Sequence, residues 1–314
     1  MHFEGDGMTR ISVFDAHCDT VSRAKWKKEG LFRNSGMVEL EKTSEQFARY
    51  CQLFALFTDV NRPGHSTYAQ LLSFFHSQMD ACRDYVSHCR TAQEAEEANR
   101  QGKIAAFLSV EGAELLDCDL SMLEEAAADG VIAINLTWNH SNAISGSCKE
   151  ETDRGLSGLG RQFVRRMQEL GVLVDVSHLS DPGFWDVVEM ATKPIIASHS
   201  NARGIWDHAR NLTDEQITAI IKNQGIIGLN FYRDFVGLGE DFDGIRAHLD
   251  RILELGGAAC VALGGDWDGC ETIEKLPTIL QLSDLYEYLI AHGYKESLLN
   301  DMYFNNLMRV VRER

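Results

Sequence analysis

The sequence predicts an α/β fold, a (β/α)8 barrel, on three observations: eight short apolar runs, helical segments between them, and metal-ligand residue types just past several of the runs. The runs are 11–14, 51–57, 104–110, 131–136, 172–176, 194–197, 226–231 and 260–263. They are continuous rather than alternating, as expected of strands buried on both faces of a parallel sheet. Helical spacing fills 68–85, 92–100, 120–128, 159–170, 186–191, 214–223 and 242–255. Thr213 with Gln216 forms a capping box, and Gly171, Gly225 and Gly256 stand where left-handed residues end helices. Eight units in 314 residues average about 39 residues each, a fair size for this barrel with insertions. A doubly wound open sheet is the rival. No linker or repeat divides the chain, so it reads as a single barrel domain over 1–314, with 1–10 loosely attached.

Composition removes several function classes. With 47 acidic against 30 basic residues the net charge is −17, which opposes nucleic-acid binding. No apolar run approaches the roughly 20 residues of a membrane span, and the first ten residues lack the basic and apolar regions of a secretory leader. Eight scattered cysteines without a Cys-x-x-Cys read as free thiols in the cytoplasm.

The candidate chemistry lies at the strand ends. The first strand leads into His17-Cys18-Asp19, where alternation sends His17 and Asp19 to one side about 6.6 Å apart along the backbone, a pincer for one ion. Further strands lead into Glu111, His178, His199 and Asp266. In a barrel all of these meet at the C-terminal mouth, where they offer the nitrogen and oxygen donors that suit zinc, manganese or cobalt.

The segments Phe-Asp-Ala-His17-Cys-Asp19-Thr, Ser-Val-Glu111-Gly-Ala-Glu, Val-Asp-Val-Ser-His178, Ile-Ala-Ser-His199-Ser-Asn-Ala-Arg, Ala-Arg210-Asn-Leu-Thr-Asp-Glu-Gln and Leu-Gly-Gly-Asp266-Trp-Asp-Gly together resemble the successive motifs of the membrane dipeptidase (renal dipeptidase) family of zinc peptidases. The likeness runs in order from about residue 11 to the closing Asn306-Leu-Met-Arg-Val-Val. The resemblance implies two divalent ions, zinc first. It implies that His17 and Asp19 hold one, that His178 and His199 hold the other, and that Glu111 bridges them. It assigns Asp266 to the hydrolytic water and the substrate amino group, and Arg210 to the substrate carboxylate. The family's substrate-polarising histidine follows a Leu-Thr pair, whereas here Trp138 fills that slot and His140 stands two positions later as the candidate substrate contact.

The expected function is therefore hydrolysis of L-Xaa-L-Xaa or L-Xaa-D-Xaa dipeptides by a soluble, bacterial-type member without a membrane anchor, with a homodimer allowed. The alternatives are another amidohydrolase-type enzyme acting on a cyclic amide or lactone, and an inactive peptide-binding barrel.

Overall fold

The computed structural model describes residues 10–59 and 64–314. Nine strands form one sheet: β1 (Ser12–Cys18), β2 (Arg49–Phe57), β3 (Val86–His88), β4 (Ile104–Glu111), β5 (Val131–Asn135), β6 (Leu173–Asp175), β7 (Ile196–Ala197), β8 (Ile226–Leu229) and β9 (Val261–Leu263). Every pairing is parallel. Because β1 pairs with both β2 and β9 while β2 also pairs with β4, the sheet closes on itself through eight strands, with helices outside. All eight expected runs contribute barrel strands. The extra strand, β3, pairs with Ile104–Ala106 of β4 below the residues of β4 that pair with β5. Three residues show no period, so this strand was invisible in the sequence.

The expected helices form with shifted ends. The segment read as 68–85 is the helix Gly64–Ala81, and the one read as 186–191 starts earlier, at Asp181, behind the Ser180 cap. The Thr213–Gln216 capping box is present, and Gly171 ends its helix in the left-handed region. Gly225 differs: Gln224 takes the positive φ of 60°. Glycine is needed next to it because a Cβ at position 225 would lie 2.1 Å from the Ile195 carbonyl oxygen. Helices Thr20–Lys27, Leu40–Gln46, Leu282–Ala291 and Asn306–Glu313 were not foreseen.

Two apolar clusters hold the barrel. One includes Phe14, Phe107, Leu173, Ile196, Ile226 and Ala262, from six strands, together with Phe304 and Met308 from the C-terminal segment. The other joins strand residues such as Val13, Leu108 and Ile134 to helix residues such as Phe163, Ile217 and Ile252. In the helix Gly64–Ala81, Leu71, Phe75 and Met79 are buried one turn apart and belong to that second cluster, so this face of the helix packs on the barrel. Among the described residues no helix is long and apolar enough to cross a membrane. The expectation for residues 1–10 falls almost wholly outside the described residues.

Candidate metal centre and active site

The barrel mouth is built by strands that end in polar residues. Asp15, buried in β1, accepts hydrogen bonds from the His17 N–H (3.0 Å), Gln52 Nε2 (3.1 Å), the Gly265 N–H (2.9 Å) and Trp267 Nε1 (3.0 Å). One carboxylate thus ties β1 to β2 and to the turn after β9. A register shift between Asp15 and Cys18 re-aims the strand end, and the Asp19 N–H donates to the Trp267 carbonyl at 2.8 Å. Asp175 repeats the device, accepting from the Ser177 N–H at 3.0 Å and the Ser198 N–H at 3.1 Å, which sets the ends of β6 and β7 side by side. His178 and Asp266, non-glycine residues just past strands, hold φ of 70° and 58°. Such backbone is costly, and it persists because the surrounding bonds impose it. Gly269 lets the last turn approach: a Cβ there would sit 2.1 Å from Asp19 Oδ2.

These strand ends bring His17, Asp19, Glu111, His178, His199 and Asp266 together. Three sets of potential ligand atoms lie within 4.8 Å of one another: His17, Asp19 and Glu111; Glu111, His178 and His199; and His17, His199 and Asp266. Glu111 belongs to the first two, with Oε2 3.5 Å from His17 Nε2 and Oε1 3.1 Å from His178 Nε2 and 3.6 Å from His199 Nε2. All six residues are at least nine-tenths buried.

The donor chemistry fits cations. His17 Nε2 and Asp19 Oδ1 are buried without a hydrogen-bond partner among the described residues. His178 Nδ1 faces Asn139 Oδ1 at 3.0 Å, an acceptor, which assigns the ring proton to Nδ1 and leaves the Nε2 lone pair aimed at the cluster, 2.9 Å from His199 Nε2. Burial, reinforced by Arg210 at His178 and by His17 at His199, depresses both imidazoles well below the ordinary histidine value, so they are neutral. Burial would depress His17 too, but Glu111 and Asp19 outweigh it and hold that ring well above. Burial and Asp19 push Glu111 up to about 8, and burial raises Asp266. A proton held by the His17–Glu111 pair is what such a cluster retains where cations would otherwise balance its charge.

A cavity of about 710 Å³ opens over the cluster, lined by Asp19, Glu111, His178 and Asp266 and walled by aromatic side chains including Phe57 and Trp138. Asn230 Nδ2 donates to Asp266 Oδ2 at 3.0 Å and fixes that carboxyl. Arg210 is 3% exposed and lies in an adjoining hollow that shares His178 with the cavity. It donates to the His199 carbonyl (3.1 Å) and Ser200 Oγ (3.4 Å), its Nε is without a partner, and it forms no ion pair among the described residues.

His140 does not join the others: its side chain is 47% exposed and faces Glu150 at 3.3 Å, and it does not line the cavity. The same loop presents Trp138 and Asn139 there, because Asn139 is drawn inward by its bond to His178. The sequence reading missed Asp15, Asp175, Asn139 and Asn230. Asp175 and Asn230 had a signal, a lone polar residue inside an apolar run, and Asp15 directly follows one, whereas Asn139 had none. Asp268 braces the turn rather than joining the cluster, accepting from Thr20 Oγ1 and the Met37 N–H at 2.7 Å each.

Comparison with known proteins gives a family and a fold. The family model described as membrane dipeptidase (Peptidase family M19) matches residues 2–314. An uncharacterized protein in the pqqA 5' region of Klebsiella pneumoniae is 31% identical over 236 residues, covering 71% of this chain and 87% of that protein. The crystal structure of dipeptidase AC, a metallopeptidase of family M19, superposes with a TM-score of 0.87 at 25% identity over 97% of this chain and 98% of that one. A metallopeptidase from Rhodobacter sphaeroides, liganded with a phosphinate mimic of the dipeptide L-Ala-D-Ala, gives a TM-score of 0.89 at 24% identity over 97% and 99% of the two chains.

Proposed function

Since the chain belongs to the membrane dipeptidase family and is a metallo-dipeptidase, we propose that it uses two divalent ions, zinc before manganese or cobalt, to cleave L-Xaa-L-Xaa or L-Xaa-D-Xaa dipeptides. The observation that carries this reading is the pair of ligand sets sharing Glu111 at the floor of the cavity, with His17 Nε2 and Asp19 Oδ1, buried without a hydrogen bond among the described residues, among their atoms.

His17 and Asp19 would hold one ion, His178 and His199 the other, and Glu111 would serve both. When bound, such a pair supplies carbonyl polarisation and an acidified water at neutral pH. Asp266, raised by burial and steadied by Asn230, accepts the proton of the attacking water and returns it to the leaving amine. It also offers a carboxylate to the substrate's α-ammonium. Arg210, a buried cation without a carboxylate partner among the described residues, receives the terminal carboxylate, on which its planar fork can act through two bonds. Gripping both ends restricts the substrate to two residues. Substrate contact from the loop after β5 falls to Trp138 and Asn139 rather than His140. The chain acts as one catalytic domain, and a cytoplasmic setting is supported by eight cysteines that are all free.

Metal analysis and turnover test the reading together. The purified protein carries about two divalent ions, loses hydrolysis of L-Ala-L-Ala and L-Ala-D-Ala on chelation, and regains it with zinc. Full activity in a verified metal-free preparation, or equal turnover of dipeptides, tetrapeptides and C-terminal amides, overturns it.

A further inference from the structure

We propose that Lys149 selects dipeptides whose second residue is acidic, its ammonium taking the side-chain carboxylate of an aspartate or glutamate at that position. The inference rests on the dipeptidase reading of the same site and names its substrate class.

Among the described residues two cationic side chains line the cavity, Arg23 and Lys149. Arg23 is already neutralised, by Glu29 at 2.9 Å and Asp268 at 3.5 Å. Lys149 forms no ion pair with any described residue, although the two residues that follow it are glutamates. Both turn elsewhere: Glu150 to the Ser141 N–H (2.8 Å) and His140 (3.3 Å), and Glu151 to Arg154 (2.6 Å). In a chain of net charge −17, a cation left unpaired beside the metal centre is where a second substrate carboxylate is best stabilised.

The backbone fixes where that cation stands. The Cys148 N–H donates to the His178 carbonyl at 2.8 Å, and the Lys149 N–H donates to Ser147 Oγ at 3.2 Å, so the lysine springs from a strut tied to a proposed metal ligand. It stands on the Arg210 side of the cavity: Cys148, the residue before it, lines the hollow that holds Arg210 and His178. If Arg210 takes the terminal carboxylate, the side chain beside it belongs to the second residue. A dipeptide with a neutral second residue leaves Lys149 without a partner, whereas an acidic one supplies it.

The test uses the zinc-loaded full chain and four substrates, L-Ala-L-Glu, L-Ala-L-Gln, L-Ala-D-Glu and L-Ala-D-Gln, which separate charge from size and configuration. Wild type favours Glu over Gln in kcat/KM by about fivefold in at least one configuration, the upper end of what an ion pair with an exposed lysine supports. Lys149→Met abolishes that ratio and Lys149→Glu inverts it, while metal content and melting temperature, measured on each variant, report that the fold is kept. A Glu/Gln ratio near one in wild type, or one unchanged in a folded, metal-loaded Lys149→Met, overturns the inference. Absence of hydrolysis of any dipeptide by wild type overturns the dipeptidase reading, and this inference with it.

Discussion

Glu111 shows how much chemistry one side chain concentrates. It stands among three imidazoles, and its two oxygens face different histidines. Glu111→Gln keeps the shape but replaces one oxygen with a donor that cannot share two cations. Activity should fall by about three orders of magnitude, the several kcal/mol that metal-assisted stabilisation supplies, and metal content should drop below two per chain. Wild-type metal content with wild-type kcat would show that Glu111 does not bridge. The same residue makes metal uptake depend on pH. In the metal-free protein burial pushes Glu111 up to about 8 and carboxylate neighbours raise His17, so at neutral pH this pair holds a proton that a cation must displace. The sign follows: raised values mean that affinity climbs as pH rises through about 8 and that loading releases protons. Calorimetry in buffers of different ionisation enthalpy should find more protons released at about pH 7 than at about pH 9. Equal release at both values would show that the cluster is already deprotonated without metal.

At the scale of elements, the strands supply direction and the buried aspartates supply register. Asp15 holds four donors, from β1, from β2 and two from the turn that carries Asp266. Because each oxygen accepts from two of them, Asp15→Asn would aim an amide N–H2 at a pair of those donors. Metal affinity should weaken by about ten- to hundredfold, the usual cost of losing a group that orients ligands, and equilibrium dialysis against zinc would measure it. Unchanged affinity would make Asp15 a purely structural residue. These two aspartates also mark the limit of what could be read from sequence. The eight barrel runs were legible because doubly buried strands are continuously apolar, and the ligands because each follows such a run. Their geometric meaning was not legible, since the hydrogen bonds of Asp15 reach Gln52 and Gly265, far along the chain. His140 illustrates the same limit, because the direction of a loop side chain depends on which neighbour is captured, and here Asn139 is held by His178. Asn306–Glu313 escaped because it continues a π-helical segment, Asp301–Asn305, whose wider winding breaks the 3.6-residue period.

Across the whole molecule the barrel separates stability from chemistry. Phe304, from the turn before the C-terminal helix, packs 6.2 Å from Phe14, which stacks in turn on Phe107 at 5.4 Å, and the Arg49 guanidinium lies 4.1 Å from the Phe304 ring centre. Phe14 sits on the same strand as His17, but the polar layer headed by Asp15 intervenes, and that layer is anchored by hydrogen bonds that Phe304 does not make. Cutting Phe304 back to alanine removes a ring that is 3% exposed and leaves a void that the packed strands cannot close, which should cost about 3–5 kcal/mol of stability. In a chain of this size that is a fall in melting temperature of several degrees or more. With zinc in excess, kcat/KM below the new transition should stay within about twofold of wild type, because catalysis belongs to the strand ends and not to the layer beneath them. Thermal melts and initial rates on the same preparation decide it. A variant that melts normally would show that Phe304 does not support the barrel. One that is fully folded yet loses activity would show that the two ends of the strands are mechanically coupled, and that the Asp15 layer does not insulate the metal centre from the packing below it.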